Sequence, residues 1–208
     1  MSDKFASTIQ TYNQFAPQFV QHFEKKLDTT ELEKFLATIP TSGYILDAGC
    51  GSARDAAFFI SKGYKALGID LSEGLLAEAN SLHPEVPTQQ MSLIKLTLPD
   101  EEFDGVWCKA ALLHLDRNDI PQVLKSFYRV LKPKGKLFIQ TKAGEGEGTQ
   151  PVPFDRTMTR MFTFFTLSEM AEQMSKAGFK LLDSYEFNSQ DRGLGSRDQQ
   201  WIVLFAEK

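Results

Sequence analysis

The sequence is short of the features that mark several protein classes. It has two cysteines, Cys50 and Cys108, both in apolar segments, and so lacks a disulfide framework or a zinc cluster. Acidic residues (27) outnumber Lys and Arg (23), so there is no broad basic field for nucleic-acid phosphates. No stretch approaches the ~18 apolar residues of a membrane span, and the first residues lack the apolar core of a signal peptide. We therefore expect a cytoplasmic protein with no nucleic-acid or membrane partner.

The composition does not shift along the sequence, which favours a single domain over residues 1–208. A compact domain of this length buries about 70% of its unfolded surface, which is enough for one sizeable core. Apolar residues at steps of three or four up to Leu27 predict one helix, and the same spacing up to Ile39 predicts a second, ended by Pro40. Two helices should therefore precede the first strand.

Strand and helix patterns alternate from residue 44 to residue 140. Apolar helical patterns lie between several of the strands, and repeated strand and helix units imply a parallel sheet of the α/β class. The predicted strands are 44–48, 65–69, 89–93, 103–108 and 137–140.

The last third of the chain breaks this alternation. Residues 143–154 are rich in Gly, Glu and Pro and are too long and polar for an ordinary connection, so we expect a functional loop or lid there. A helix follows over about 167–177. Two aromatic or β-branched segments, 179–186 and 201–206, are joined by a polar segment and predict a closing antiparallel hairpin.

A glycine-rich turn follows the first predicted strand and enters a predicted helix. Gly49 and Gly51, on either side of Cys50, allow backbone torsions and a close ligand approach that a Cβ would block. Asp47, two residues before the first glycine, would be unfavourable beside phosphates. A carboxylate there suits a cationic ligand that carries an ammonium group.

Asp70 ends the second predicted strand, about 20 residues beyond the glycines, where an acidic residue can accept hydrogen bonds from both ribose hydroxyls. The alternative is that Asp70 caps the next helix, a role that Ser72 can fill as well.

Four segments together resemble the class I S-adenosylmethionine-dependent methyltransferases: DAGCGSA, GID, FDGVW and LKPKG, within residues 40–142. The sequence is most similar to small bacterial members with a GCGSGRD turn. The resemblance implies a Rossmann-like seven-stranded mixed sheet, mainly parallel with an antiparallel last strand, and helices on both faces. It also implies S-adenosylmethionine as cofactor, S-adenosylhomocysteine as product, and transfer of the methyl group to a small molecule by in-line displacement.

The resemblance also implies roles for particular residues. Residues 1–40 would form a helical cap over the cofactor site. Two residues depart from the family pattern: Ala53 replaces its third glycine, and Ser92 replaces the usual acid after strand three. The implied cofactor-binding residues are Tyr12, Asp47, Gly49, Cys50, Gly51, Arg54, Asp70, Leu71, Met91, Ser92, Leu93, Lys109 and Ala110.

Two of these residues, and the candidate catalytic residue, each have two interpretations. Tyr12 is a lid residue or a helix-face aromatic that packs on the sheet. Arg54 binds the methionyl carboxylate or pairs with a neighbouring acid, since a cation at a helix start needs an anionic partner. His114, the candidate catalytic residue, is a general base that titrates near neutrality or a structural imidazole bonded to backbone.

Other functions compete with methyl transfer. A nicotinamide-dependent oxidoreductase would need glycine where Arg54 stands. A non-catalytic S-adenosylmethionine-binding or regulatory module is the main alternative, since Ala53 and Ser92 depart from the pattern. Chemistry on a metalloid has no supporting cysteine or histidine cluster, and we predict no metal site. We expect a monomer or a homodimer with an unidentified methyl acceptor.

Overall fold

A computed structural model describes residues 3–25, 27–192 and 199–208. Residues 193–198, in the middle of the predicted polar connection between the last two strands, therefore lie outside the described residues. The strands are β1 (Tyr44–Ala48), β2 (Lys65–Asp70), β3 (Thr88–Gln90), β4 (Phe103–Lys109), β5 (Leu131–Lys142), β6 (Glu147–Pro151), β7 (Thr159–Thr163), β8 (Lys180–Asn188) and β9 (Gln200–Glu207). The helices are α1 (Asp3–Gln14), α2 (Ala16–Phe23), α3 (Thr30–Leu36), α4 (Arg54–Ser61), α5 (Glu73–Leu82), α6 (Ile120–Val130) and α7 (Leu167–Lys176).

Seven strands form one sheet in the order β3-β2-β1-β4-β5-β9-β8. All neighbours pair in parallel except at β9, which is antiparallel to both β5 and β8. This confirms the predicted mixed sheet and its antiparallel last strand. Within the described residues, no helix is long and apolar enough to cross a membrane.

The central strands are apolar on both sides because helices cover both faces of the sheet. Successive side chains of a strand point to opposite faces. Leu46 and Val106 therefore lie in the core under α6 and α7, whereas their neighbours Ile45 and Trp107 lie in the core under α3 and α4. This two-sided burial explains why the strands appear in the sequence as continuous apolar runs.

The core under α3 and α4 is built around stacked aromatic rings. The rings of Trp107 and Phe138 are parallel to within 9°, with centroids 3.7 Å apart. Phe35 and Phe59 contact the same indole at 5.3 and 5.5 Å, and all four side chains are fully buried. Gly105 permits this close approach of α3, since a Cβ there would lie 2.7 Å from the Phe35 ring.

The N-terminal segment differs from the prediction, because three helices rather than two precede β1. The first predicted helix is interrupted at Phe15, between α1 and α2. Pro17, in the first turn of α2, has no backbone N–H and cannot make the hydrogen bond to the Asn13 carbonyl that a continuous helix would contain. Apolar periodicity alone did not reveal this break.

Residues 143–154 also differ from the expected loop. Its middle part is β6, which pairs with β7 in an antiparallel hairpin in the register Glu147↔Thr163 to Pro151↔Thr159. The two strands are short and polar on one side, so the sequence carries little strand signal. The third predicted strand is shorter than expected, since β3 ends at Gln90 and a 3₁₀ turn follows over Leu93–Lys95.

We expect the aromatic stack to make a large contribution to stability. Phe138→Ala should lower the free energy of unfolding by about 3–5 kcal/mol, because it opens a cavity against Trp107. Urea denaturation followed by circular dichroism measures this change. Leu82→Ala is the control, since Leu82 is 46% exposed at the end of α5. Equal losses in the two variants would contradict this role for the stack.

Candidate active site

A cavity of about 550 Å³ lies at the carboxyl end of the sheet. The turns after β1 and β4 both contribute to its walls. The chain leaves β1 toward β2 on one side and later returns to β4 on the other, and such a reversal of strand order is where α/β sheets bind ligands. The predicted site residues that line this cavity are Tyr12, Asp47, Gly49, Cys50, Gly51, Arg54, Lys109, Ala110 and His114.

The glycine turn has the backbone shape that its sequence predicts. Gly49 has a φ of +86°, and a Cβ on it would lie 2.3 Å from the Cβ of Ala111. Gly51 has a φ of +55°, and a Cβ there would meet no atom within 4 Å, so this glycine borders open space. Ala53, which replaces the family's third glycine, is fully buried and also left-handed, with a φ of +61°. The helix start therefore accepts the extra methyl group.

Asp47 presents a buried carboxylate to the cavity. The side chain is 3% exposed, and Oδ2 has no hydrogen-bond partner among the described residues. Burial, with the nearby Asp55 carboxylate, raises the pKa of Asp47 well above its usual value, although Lys109 opposes this shift. An unsatisfied buried carboxylate oxygen is costly, and a cationic ligand would offset that cost.

Asp55 is the centre of a buried ion cluster that the sequence analysis did not identify. Its carboxylate accepts hydrogen bonds from Arg54 Nε and Nη2 at 3.0 and 2.8 Å and from Trp107 Nε1 at 3.1 Å. Lys109 Nζ lies 3.2 Å away. Burial alone would raise the pKa of Asp55, but Lys109 and Arg54 lower it to about 2.

Arg54 therefore follows the second of its two interpretations. Besides pairing with Asp55, its Nη1 donates to the Phe23 carbonyl at 2.8 Å. An acid in the first turn of the helix could have indicated this pairing from the sequence, because adjacent opposite charges are favourable at a helix start.

Both carboxylate oxygens of Asp70 accept backbone hydrogen bonds. Oδ2 accepts from Gly51 N at 2.9 Å and Oδ1 from Ser72 N at 2.8 Å. Burial raises the pKa of Asp70, and these hydrogen bonds partly oppose the shift. Ser72 caps α5, since its Oγ accepts from Leu75 N at 3.2 Å. Asp70 thus holds the glycine turn against the end of β2.

Five predicted cofactor-binding residues do not line the cavity. Ser92 Oγ instead accepts from Ile94 N at 3.3 Å. The N-terminal helices lie across this end of the sheet: Asn13 Oδ1 accepts from Ser72 Oγ at 2.7 Å, and Glu24 contacts His83 at 2.8 Å. The five residues are Asp70, Leu71, Met91, Ser92 and Leu93.

Three polar side chains from distant segments form a hydrogen-bonded chain beside the cavity. Arg160 Nη1 donates to the Tyr12 hydroxyl at 2.7 Å, and that hydroxyl lies 2.9 Å from His114 Nε2. His114 Nδ1 lies 3.1 Å from the Met161 carbonyl. Since a carbonyl only accepts, Nδ1 carries the proton, and Nε2 accepts the Tyr12 proton. The Tyr12 ring also packs against Phe19 of α2, with centroids 4.6 Å apart, and its role as a lid residue stays a prediction.

His114 does not have the near-neutral pKa that we expected. Burial, with the positive charge of Arg160, lowers its pKa to about 3. The imidazole is therefore neutral at physiological pH, and its unprotonated Nε2 accepts a hydrogen bond from the Tyr12 hydroxyl. Sequence reasoning could not show this, because the responsible residues lie far from His114 in the chain.

We expect the Asp55 cluster to make stability depend on pH. The pKa of Asp55 is lower in the folded state, so its contribution is complete above the unfolded value of 3.8 and is lost as the pH falls toward 2. Asp55→Asn should cost about 3 kcal/mol at pH 7, since it breaks a buried pair. Thermal unfolding between pH 2 and 7 measures both effects. Asp100→Asn, on an exposed acid, is the control, and an unchanged acid limb in Asp55→Asn would contradict the assignment.

Comparison with known proteins identifies the domain. Residues 46–139 match a family described as a methyltransferase domain. A malonyl-[acyl-carrier protein] O-methyltransferase of Enterobacter lignolyticus is 28% identical over 136 residues, which cover 64% of this chain and 53% of that protein. The chain spans about half the length of the first curated relatives it matches.

Solved structures share the fold. An S-adenosylmethionine-dependent methyltransferase of Methanosarcina mazei is 20% identical, with a TM-score of 0.77 over 88% of this chain and 99% of that one. The 1,6-didemethyltoxoflavin-N1-methyltransferase of Burkholderia thailandensis, solved with 1,6-didemethyltoxoflavin and S-adenosylhomocysteine, is 20% identical, with a TM-score of 0.73 over 98% and 86%. Residues 46–139 therefore match a methyltransferase domain, and the chain shares its fold with solved S-adenosylmethionine-dependent methyltransferases.

Proposed function

We propose that this protein is an S-adenosylmethionine-dependent methyltransferase that acts on a small molecule. The observation that carries the proposal is the Asp47 carboxylate, which is buried beside the glycine turn and has an oxygen with no partner among the described residues. This position lies where the strand order reverses, and the carboxylate there favours a ligand with positive charge.

The residues present fit such a ligand. S-adenosylmethionine carries an ammonium and a sulfonium, and Asp47 offers the opposite charge at the cavity wall. Gly51 borders open space, and Gly49 lets the turn lie against Ala111 without a clash. A dinucleotide would bring phosphates against Asp47, which makes the oxidoreductase alternative unfavourable.

We assign the methionyl ammonium to Asp47, with Gly49, Cys50 and Gly51 as the wall of the turn and Lys109 and Ala110 on the opposite side. Asp70 and Leu71 remain the proposed ribose ligands, and Met91, Ser92 and Leu93 the proposed adenine ligands. Because these five do not line the cavity, contact with them requires α1 and α2 to move away from α5. Residues 1–40 would then act as the cap of a single domain over residues 1–208.

When bound, S-adenosylmethionine supplies an electrophilic methyl group, and in-line transfer depends chiefly on alignment and exclusion of water. The chain's own residues provide both. The aromatic rings of Phe19 and Phe162 exclude water from the cavity, and Arg160 orients the Tyr12 hydroxyl toward His114. His114 is a positioning residue in this proposal, because its lowered pKa makes it a weak base.

We further propose a small-molecule acceptor and a cytoplasmic location, with the protein as a monomer or homodimer. A cavity of about 550 Å³ suits a small ligand, and the net charge of -4 does not favour nucleic acid. Cys50 and Cys108 are both free thiols, which suits a reducing compartment.

Calorimetry tests the proposed cofactor. Wild-type protein should bind S-adenosylmethionine and S-adenosylhomocysteine, and Asp70→Ala should bind both at least about tenfold more weakly, or 1.4 kcal/mol. Asp100→Ala removes an exposed carboxylate and is the matched control. Absence of binding by folded wild-type protein would overturn the proposal and the non-catalytic binding module alike.

We expect Asp47→Asn to separate ligand binding from stability. Its raised pKa means that the folded protein holds a proton more tightly than the unfolded chain, so the stability contribution of Asp47 falls as the pH rises above 3.8. The substitution should therefore raise the melting temperature of the free protein at pH 7. It should also weaken S-adenosylhomocysteine binding at least about tenfold. A lower melting temperature with unchanged affinity would contradict the assignment.

A further inference from the structure

Arg160 is a buried cation at the hairpin side of the cavity. It lies on β7, is 8% exposed and lines the cavity. Its guanidinium carbon lies 5.5, 5.1 and 5.2 Å from the ring centroids of Tyr12, Phe19 and Phe162. Three rings therefore hold the guanidinium in place without neutralising its charge.

No carboxylate among the described residues lies within ion-pair distance of Arg160. Nη1 donates to the Tyr12 hydroxyl, but the buried Nε has no hydrogen-bond partner among the residues that the structure describes. A guanidinium has five N–H donors, and burying it without a counter-ion is costly. The arrangement is therefore incomplete unless an anion reaches the guanidinium.

Apart from Asp47 at the glycine turn, the described acids of the cavity wall are engaged by other cations. Asp28 and Glu31 pair with Arg192, and Asp55 pairs with Arg54 and Lys109. The cavity thus has an acidic end at the glycine turn and a basic end at the hairpin.

We propose that Arg160 binds an anionic group of the methyl acceptor, so that the acceptor is a small organic acid. This inference rests on the proposed methyltransferase function. A planar guanidinium matches a carboxylate, which can accept from two N–H groups at once. Lys142 lines the same side, with its ammonium 4.2 Å from the Phe162 centroid, and increases the positive potential there.

The rest of this wall suits an acid with a flat hydrocarbon part. Phe162 and Trp201 both line the cavity, and Phe162 lies between the two cations. An aromatic carboxylate could place its ring against these side chains and its charge against Arg160. Benzoate is therefore a suitable probe, with malonate as the aliphatic comparison.

A carboxylate at Arg160 could also come from the methionyl part of S-adenosylmethionine. The two sources differ in one measurable respect. 5′-Methylthioadenosine lacks the amino-acid part, so its binding does not involve a methionyl carboxylate. If Arg160 held that group, Arg160→Gln would weaken S-adenosylhomocysteine but not 5′-methylthioadenosine.

The test is a calorimetric titration of the full chain, free and loaded with S-adenosylhomocysteine, against benzoate, malonate and their uncharged amides. Wild-type protein should bind the acids more tightly than the amides. Arg160→Gln should weaken binding of the acids at least about tenfold and leave that of the amides unchanged. Arg160→Lys should show an intermediate loss, because it keeps the charge without the planar donors. Melting temperatures show that each variant is folded.

Lys176→Gln is the control, since it removes an exposed cation that does not line the cavity. It should change binding of the acids less than about twofold. Equal binding of the acids by wild type and Arg160→Gln, or an equal loss in Lys176→Gln, would overturn the inference. A loss confined to S-adenosylhomocysteine would overturn the acceptor assignment and assign Arg160 to the methionyl group. Titration of the free protein measures acid binding without any cofactor present. Failure of the inference is therefore distinguishable from failure of cofactor binding.

Discussion

The site depends on the ion pairs and hydrogen bonds of the buried Asp55 carboxylate. This carboxylate joins the start of the helix after the glycine turn to the end of β4, through Arg54 on one side and Trp107 and Lys109 on the other. Two turns that meet at the reversal of strand order are thereby fixed relative to each other. Because Asp55 takes both cations, the neighbouring Asp47 is left with an unsatisfied oxygen toward the cavity.

The other end of the cavity is assembled from three separate segments. Tyr12 comes from the N-terminal helices, His114 from the turn after β4, and Arg160 from the hairpin. Their hydrogen bonds join the N-terminal helices, the turn after β4 and the hairpin at one point. The result is a cavity with opposite charges at its ends, which suits a cationic methyl donor at the glycine turn and an anionic acceptor at the hairpin. Movement of the cap would change both the cofactor side and this hydrogen-bonded chain.

Much of the fold could be predicted from the sequence because its signals are local. Apolar runs followed by helical patterns indicate a parallel sheet, and the glycines after β1 indicate a ligand turn. The short polar strands of the hairpin were missed, since their pairing depends on partners rather than on strand propensity. The break before Pro17 was available in the sequence but was outweighed by regular apolar spacing.

The sequence by itself determined the fold class, the glycine turn and the candidate residues, because strand burial and turn torsions depend on neighbouring residues. Only the tertiary structure decided the state of the site. Tyr12 and His114 are 102 residues apart, and Arg160 is 148 residues from Tyr12. Burial and charge from such distant residues lower the pKa of His114 and leave Arg160 without a carboxylate among the described residues. These quantities depend on distances that the chain sets only when it folds.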